Sequence, residues 1–205
     1  MADTGTTTIA VAGTAPVSSL SSGQFINVQR LHIAKLLTDP VNGTATYEKP
    51  IDLGKVLRKV DVKPKTSEAE IYADGQAIDA ATNTASYDLT FDTAALPLEY
   101  EAYLFGHSIE NGVMTAAKDD VPPYFAVMFQ ADKRNGKTRF TKFYKVQFTE
   151  PAQSGNTKEE SIKYDTPTIT AKAIYRLSDG RSYTKADEES AGFAADTATS
   201  WYQSV

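Results

Sequence analysis

Apolar and polar residues alternate along most of this chain with a period of two, the pattern of strands whose two faces meet different surroundings. Phe25 to Leu37 reads as a strand with Leu31 and Ile33 on one side, joined there by Gln29 and Lys35 near its ends. Thr38 to Thr46 interrupts the alternation with Asp39-Pro40 and Asn42-Gly43 and predicts a loop. In Lys55 to Lys63, Val56, Arg58, Val60 and Val62 share a face opposite Lys59 and Asp61. Glu68 to Ala73 sets Ala69, Ile71 and Ala73 against Glu68, Glu70 and Tyr72, and Asp74-Gly75 signals a turn. Thr84 to Phe91 opposes Ala85, Tyr87, Leu89 and Phe91 to Ser86, Asp88 and Thr90. Half-buried strands of an antiparallel sheet are expected.

A single stretch changes period. Leu98, Ala102 and Phe105 recur at helical spacing, Pro97 suits the first turn and Gly106 the exit, which predicts one helix near 94–105 with Glu99 and Glu101 toward water. Beyond it, Asn111-Gly112 predicts a tight hairpin. Pro122-Pro123 precedes a long run from Tyr124 to Ala131, and a polar turn leads into Thr138 to Thr149, where Phe140, Lys142, Tyr144, Val146 and Phe148 fall in one register. Ser161 to Leu177 is strand-like but broken near Pro167, and Asp179-Gly180 turns the chain toward Arg181 to Lys185. The domain is therefore expected at 24–185, with a flexible arm of Thr, Ser, Ala and Gly at 1–23 and a C-terminal tail at 186–205 that ends in Trp201-Tyr202.

The 205 residues suffice for one large β domain with a core of its own, and 11 Tyr and 9 Phe against 3 Met favour strands over helices. The absence of Cys removes disulfides, thiolate metal sites and a cysteine nucleophile. A net charge of −5 argues against a tight grip on phosphate backbones, though not against letting nucleic acid slide past. No window is apolar over the ~20 residues a membrane span needs, and Met1 to Gly23 lacks a basic, then apolar, leader, so a soluble protein made without export is expected.

Candidate chemistry is sparse. His32 and His107 stand apart in the sequence without metal-site spacing, and are read as a strand residue and a helix-exit residue. Ser182-Tyr183-Thr184-Lys185 has the Ser-x-x-Lys spacing of certain acylases but sits in a strand pattern without their partner motifs. Asn42-Gly43-Thr44 is a sequon that reads only as a turn. The acids Glu68, Glu70, Asp74, Asp79 and Asp88 lack the spacing of a calcium loop. They read as a solvated sheet face, or as an acidic surface lining a passage. The turn Lys133-Arg134-Asn135-Gly136-Lys137 reads as an ionic contact with a neighbour rather than a nucleic-acid patch. No catalytic residue, cofactor site or metal site is assigned.

An ordered set of motifs carries a family resemblance: Glu70-Ile71-Tyr72-Ala73-Asp74-Gly75, Leu96 to His107, Asp120-Val121-Pro122-Pro123-Tyr124, Asn135-Gly136-Lys137 before Phe140, Lys145 to Pro151, and Tyr164-Asp165-Thr166-Pro167. Together they resemble the phi13-type major tail proteins of bacteriophages with long non-contractile tails, over most of residues 25–193. The resemblance implies a mainly β tail-tube fold, a β-sandwich or partial barrel with one flanking helix, whose inner sheet is completed across subunits. It also implies a non-enzymatic virion protein, assembled in the host cytoplasm as stacked rings of six. Its partners would be further copies of itself, a tape-measure protein, and terminator and tail-tip proteins. Double-stranded DNA would pass through the lumen without specific binding. On this reading Glu68, Glu70 and Asp74 are candidates to face the channel. Lys133, Arg134, Lys137, Asp39, Pro40 and Asn42 are candidates for contacts between subunits. The rival is a carbohydrate- or receptor-binding β-sandwich of a phage tail or cell surface, which would expose aromatic residues on a groove.

Overall fold

The computed structural model describes residues 23–73, 76–152 and 166–205, with backbone alone for 68–73 and 76–81. Most of the N-terminal arm and the Asp74-Gly75 turn lie outside the described residues. Eleven strands and two helices are described: β1 (Phe25–Thr38), β2 (Thr46–Tyr47), β3 (Ile51–Asp52), β4 (Leu57–Ala73), β5 (Gln76–Thr93), α1 (Leu98–Phe105), β6 (Ser108–Glu110), β7 (Val113–Thr115), β8 (Tyr124–Lys133), β9 (Thr138–Thr149), β10 (Thr168–Ala173), β11 (Tyr183–Asp187) and α2 (Ala195–Ser200). One antiparallel sheet runs β2-β1-β8-β9-β10-β5-β4, with β3 beside β1 and β11 beside β9. It curls until β4 approaches β1, without a described ladder between them, which makes a partial barrel.

The barrel encloses the main core. Leu31, Ile33, Phe125, Val127, Phe129 and Phe143 from β1, β8 and β9 meet Leu89, Phe91, Ile169 and Ala171 from β5 and β10. Rings pack at angles: Phe125 and Phe148 lie 5.7 Å apart edge to face, and Phe91 and Phe148 5.9 Å apart. α1 covers this core with Ala102, Leu104 and Phe105. Leu98, expected on the buried stripe, is 40% exposed, while Tyr100 and Tyr103 pack inward. An eight-residue helix lying on a curved barrel is gripped by its C-terminal turn rather than along a straight stripe. Gly106 ends it at φ 78°, where a Cβ would stand 2.7 Å from the Val121 carbonyl oxygen.

Two patterns resolve differently from the sequence reading. Lys55 to Lys63 and Glu68 to Ala73 belong to a single 17-residue strand, because Pro64 sits on the outer edge of β4 and no ladder there needs its missing N–H. The five residues from Phe140 to Phe148 do not keep one register. β8 pairs Val127 with Phe143 and Phe125 with Val146, so Tyr144 and Lys145 together oppose Ala126. This β-bulge reverses the faces along β9. Phe143, Val146 and Phe148 enter the barrel, whereas Phe140 joins Ala34, Ala126 and Met128 in a second core outside it.

That outer core is covered by the C-terminal segment. Trp201 and Tyr202, just past α2, are buried against Phe140 and Met128, with Phe193, Ala198 and Val205 beside them. Residues 186–205, read as a tail, are thus a strap folded across β1, β8 and β9.

Phe143 touches Phe129, Tyr87 and Tyr183 and is fully buried. Phe143→Ala is expected to cost about 3–5 kcal/mol, read as a lowered midpoint in urea unfolding. A loss well below 1 kcal/mol would contradict this packing.

Candidate assembly surfaces

The bulge in β9 frees backbone groups, three of which bond to other pieces of the chain. The Tyr144 N–H donates to the Ser182 carbonyl (3.0 Å), the Tyr144 carbonyl accepts from the Tyr47 hydroxyl (3.0 Å), and the Lys145 carbonyl accepts from the Ile174 N–H (2.9 Å). Here the free edge of β9 passes from β10 to β11, and the loop between those strands, 174–182, is pinned to the outer face. Arg176 lies 4.1 Å over the Tyr144 ring and is held by Asp179.

Asp39, expected at a contact between subunits, completes this clamp. Its carboxylate accepts from the N–H groups of Leu177 and Ser178 (2.9 and 3.0 Å) and from the Lys145 ammonium (2.8 Å). Burial works to raise its pKa, but these donors outweigh burial and hold it below the usual carboxylate value. Its neighbours Pro40 and Asn42 are exposed in the adjoining turn, close in sequence to the exposed Leu37 and Val41.

The basic hairpin tip divides similarly. Lys133 is 2% exposed, and its ammonium contacts Asp187 (2.6 Å) and Glu189, with Arg139 on the same aspartate at 2.7 Å. Its charge is therefore spent within the subunit, because the strap brings acidic residues 187–189 back onto the tip. Arg134 and Lys137 remain exposed. Lys133 and Asp39 thus brace the fold, whereas Arg134, Lys137, Pro40 and Asn42 are on the surface.

The lumen candidates fall on the β4–β5 hairpin. Glu68 and Glu70 pair through their backbones with Thr82 and Ala80; their side chains, and Asp74 altogether, lie outside the described residues. The last partner of β5 across the sheet is Ala173, opposite Tyr87. Beyond that point β4 and β5 pair only with each other among the described residues. They form an arm that reaches on the order of 30 Å from the barrel. Its base is braced by aromatics: Tyr87 meets Tyr183 edge-on at 5.3 Å, and the Tyr175 hydroxyl donates to the Thr84 carbonyl at 2.9 Å. Burial, with Tyr175 and Tyr183 nearby, pushes the Tyr87 hydroxyl up to about 12.

Several strand edges have no described partner, among them β5 beyond Tyr87, and two of them flank the gap in the partial barrel. One is the outer edge of β4 along all 17 residues, and the other is the first half of β1, Phe25 to Arg30. Phe25 and Ile26 on the latter are 49% and 67% exposed. Arg30 there adopts φ 58°, in a bulge that lays its guanidinium 4.4 Å over Tyr202.

Among the described residues, the side chains weighed for reaction chemistry stand apart from one another. Ser182 immediately precedes β11 and Lys185 lies within it, with the Lys185 ammonium over the Tyr183 ring. His32 stacks at 4.3 Å on Tyr202, and His107 contacts Asp120 at 2.8 Å. Among the described residues no cluster of three metal-binding side chains occurs, and no helix is long and apolar enough to cross a membrane. Trp201, the one tryptophan, is buried on the inner side of the strap, against Phe140, rather than on a groove. The sequence reading missed Tyr47, Arg176 and Tyr202 as organising residues. The adjacent pair Trp201-Tyr202 was the one signal that the C-terminal segment had a core to join.

Lys142 lies beneath the strap and donates to the Ser204 carbonyl (2.7 Å), 4.9 Å from the Trp201 ring. Burial pushes its ammonium from 10.5 down to about 8. Between those values the unfolded chain binds more protons, so stability rises with pH. Tyr103 and Tyr202, both raised by burial, oppose this only above about pH 10, where the unfolded chain loses phenolic protons. Unfolding free energy is therefore expected to climb between about pH 8 and 10, and to stay flat there in Lys142→Met. An unchanged slope in the variant would remove Lys142 as the cause.

A family model described as phage tail tube protein matches residues 65–200. No curated protein matches the chain.

Proposed function

The chain belongs to the phage tail tube proteins, structural subunits of the virion tail, and from that premise we propose that six copies close into a ring by pairing their open sheet edges. The observation that carries this reading is the unpaired edge of β4, 17 residues long, in a subunit whose β1 also leaves half an edge open. Such edges are a hazard in a lone chain and are removed when the sheet closes on itself. A head-to-tail contact repeated around an axis gives that closure.

Rings stack through the β4–β5 arm and through surface loops such as the turn carrying Pro40 and Asn42, with Arg134 and Lys137 as ionic contacts between neighbours. The stack is the conduit for genome delivery in a long non-contractile tail. It grows in the host cytoplasm on a tape-measure protein, is capped by a terminator, and is joined at the other end to tail-tip proteins. Nothing in this role calls for a cofactor or a catalytic residue. The buried ion pairs of Asp39 and Lys133 serve it indirectly, by keeping the outer loops rigid as neighbours dock.

The experiment is negative-stain electron microscopy of concentrated protein, alone and with the tape-measure protein, which is expected to show rings or tubes. Ile26→Asp puts a charge on the open edge of β1 at an exposed position. It is expected to abolish tubes at concentrations where the wild type forms them, with the unfolding midpoint nearly unchanged. Intact tubes from the variant would exclude the β1 edge from the ring contact.

A further inference from the structure

The two halves of the barrel share one core, so their outward faces look away from each other. The face of β1, β8 and β9 carries Ala34, Met128 and Phe140 and is roofed by the strap. The opposite face, on β4, β5 and β10, has no described cover. Its positions form cross-strand rows: Lys63, Asp88 and Lys172; then Asp61, Thr90 and Thr170; then Lys59, Asp92 and Thr168. Thr149 and Gln147 of β9 extend two of these rows. All are exposed or half-buried, and none is apolar. A dry contact with another protein needs apolar anchors, which this face lacks.

We propose that this face is the wall past which duplex DNA slides, and that Lys59, Lys63 and Lys172 are carried there because each stands directly opposite an aspartate. The inference rests on the tube reading and adds which surface lines the channel and how its charge is set. Lys63 and Lys172 flank Asp88, and Lys59 opposes Asp92 while its ammonium contacts Asp61. Thr168 donates its hydroxyl to Asp92 at 2.9 Å. Three lysines and three aspartates leave the nine positions neutral. Directly opposed residues stand about 5 Å apart across strands, close enough for each carboxylate to shield its lysine. Duplex DNA presents a charge about every 1.7 Å and binds walls that can exchange its counter-ions for free cations. Lys65, opposite Ser86 at the base of the arm, is the one lysine of this face among the described residues with no aspartate directly across from it, so the matched rows offer no run of such cations. It does not repel the duplex as a purely acidic wall would, so it neither holds the DNA nor raises a barrier to filling the tube.

The chain has no cysteine, so Thr170→Cys is a unique reporter at the centre of this face. As dispersed subunits the variant is expected to react with a small maleimide and equally with a maleimide on a polymer wider than duplex DNA. In assembled tubes it is expected to keep the first reaction and lose the second. Reaction with both in the tube would put the face outside, and reaction with neither would make it a contact between subunits. Either overturns the assignment, whereas absence of tubes from the wild type is a failure of the tube reading instead. Phage assembled from Asp88→Asn/Asp92→Asn subunits, which unmask the lysines, are expected to show normal tails and a several-fold loss of ejection rate that added salt relieves. A wild-type rate at low salt would overturn the charge-matching claim.

Discussion

A strand that serves two cores has to break its own alternation, and β9 does so at Tyr144 and Lys145. Without that extra residue, Phe140 and Phe148 would lie on one side of the sheet, and either the barrel interior or the outer core would lose its aromatic. With it, Phe143, Val146 and Phe148 fill the barrel while Phe140 receives the strap. The cost is a set of backbone groups with no ladder partner, three of them satisfied by different pieces of chain: Ser182, Ile174 and Tyr47. The bulge is therefore also where β10 gives way to β11 and where the outer loops are anchored.

Burial around that junction is of two kinds. Asp39 with Lys145, and Lys133 with Asp187 and Glu189, are ion pairs taken largely out of water. Pairs of this kind add little net stability over apolar residues of the same size, but losing one partner is costly. They therefore fix geometry more than they add stability. Each ties a loop far away in sequence to the sheet, which suits a subunit whose loops and edges must keep one shape for a neighbour to dock.

The uncovered parts of the molecule share a logic. The long edge of β4, the half edge of β1 and the arm beyond Tyr87 all expose backbone or side chains that a solitary domain of this size would cover. The polar face of β4, β5 and β10 differs, because its rows of Lys, Asp and Thr are content in water. Open edges beside a polar, largely charge-matched face are what the proposed ring asks of its subunit.

Much of this was legible in the sequence. Period-two alternation located β1, β9, much of β5 and, as two pieces, β4, the long run after Pro122-Pro123 located β8, Asn111-Gly112 gave a turn with both residues at positive φ, and Pro97 with Gly106 bracketed the helix. These are local properties, fixed by backbone sterics and by which side chains tolerate water, and a single chain segment suffices to determine them. The sequence likewise determined that no thiol chemistry is built in, because it contains no cysteine. The bulge in β9, the strap that buries its own Trp201 and Tyr202 against the sheet, and the enclosure of Lys133 and Asp39 were decided only by the tertiary structure. A bulge is defined by the strand opposite, and an ion pair by residues more than fifty positions away, so neither leaves a mark in the local pattern. One-residue register sets which face a side chain takes, and only the packed sheet fixes that register.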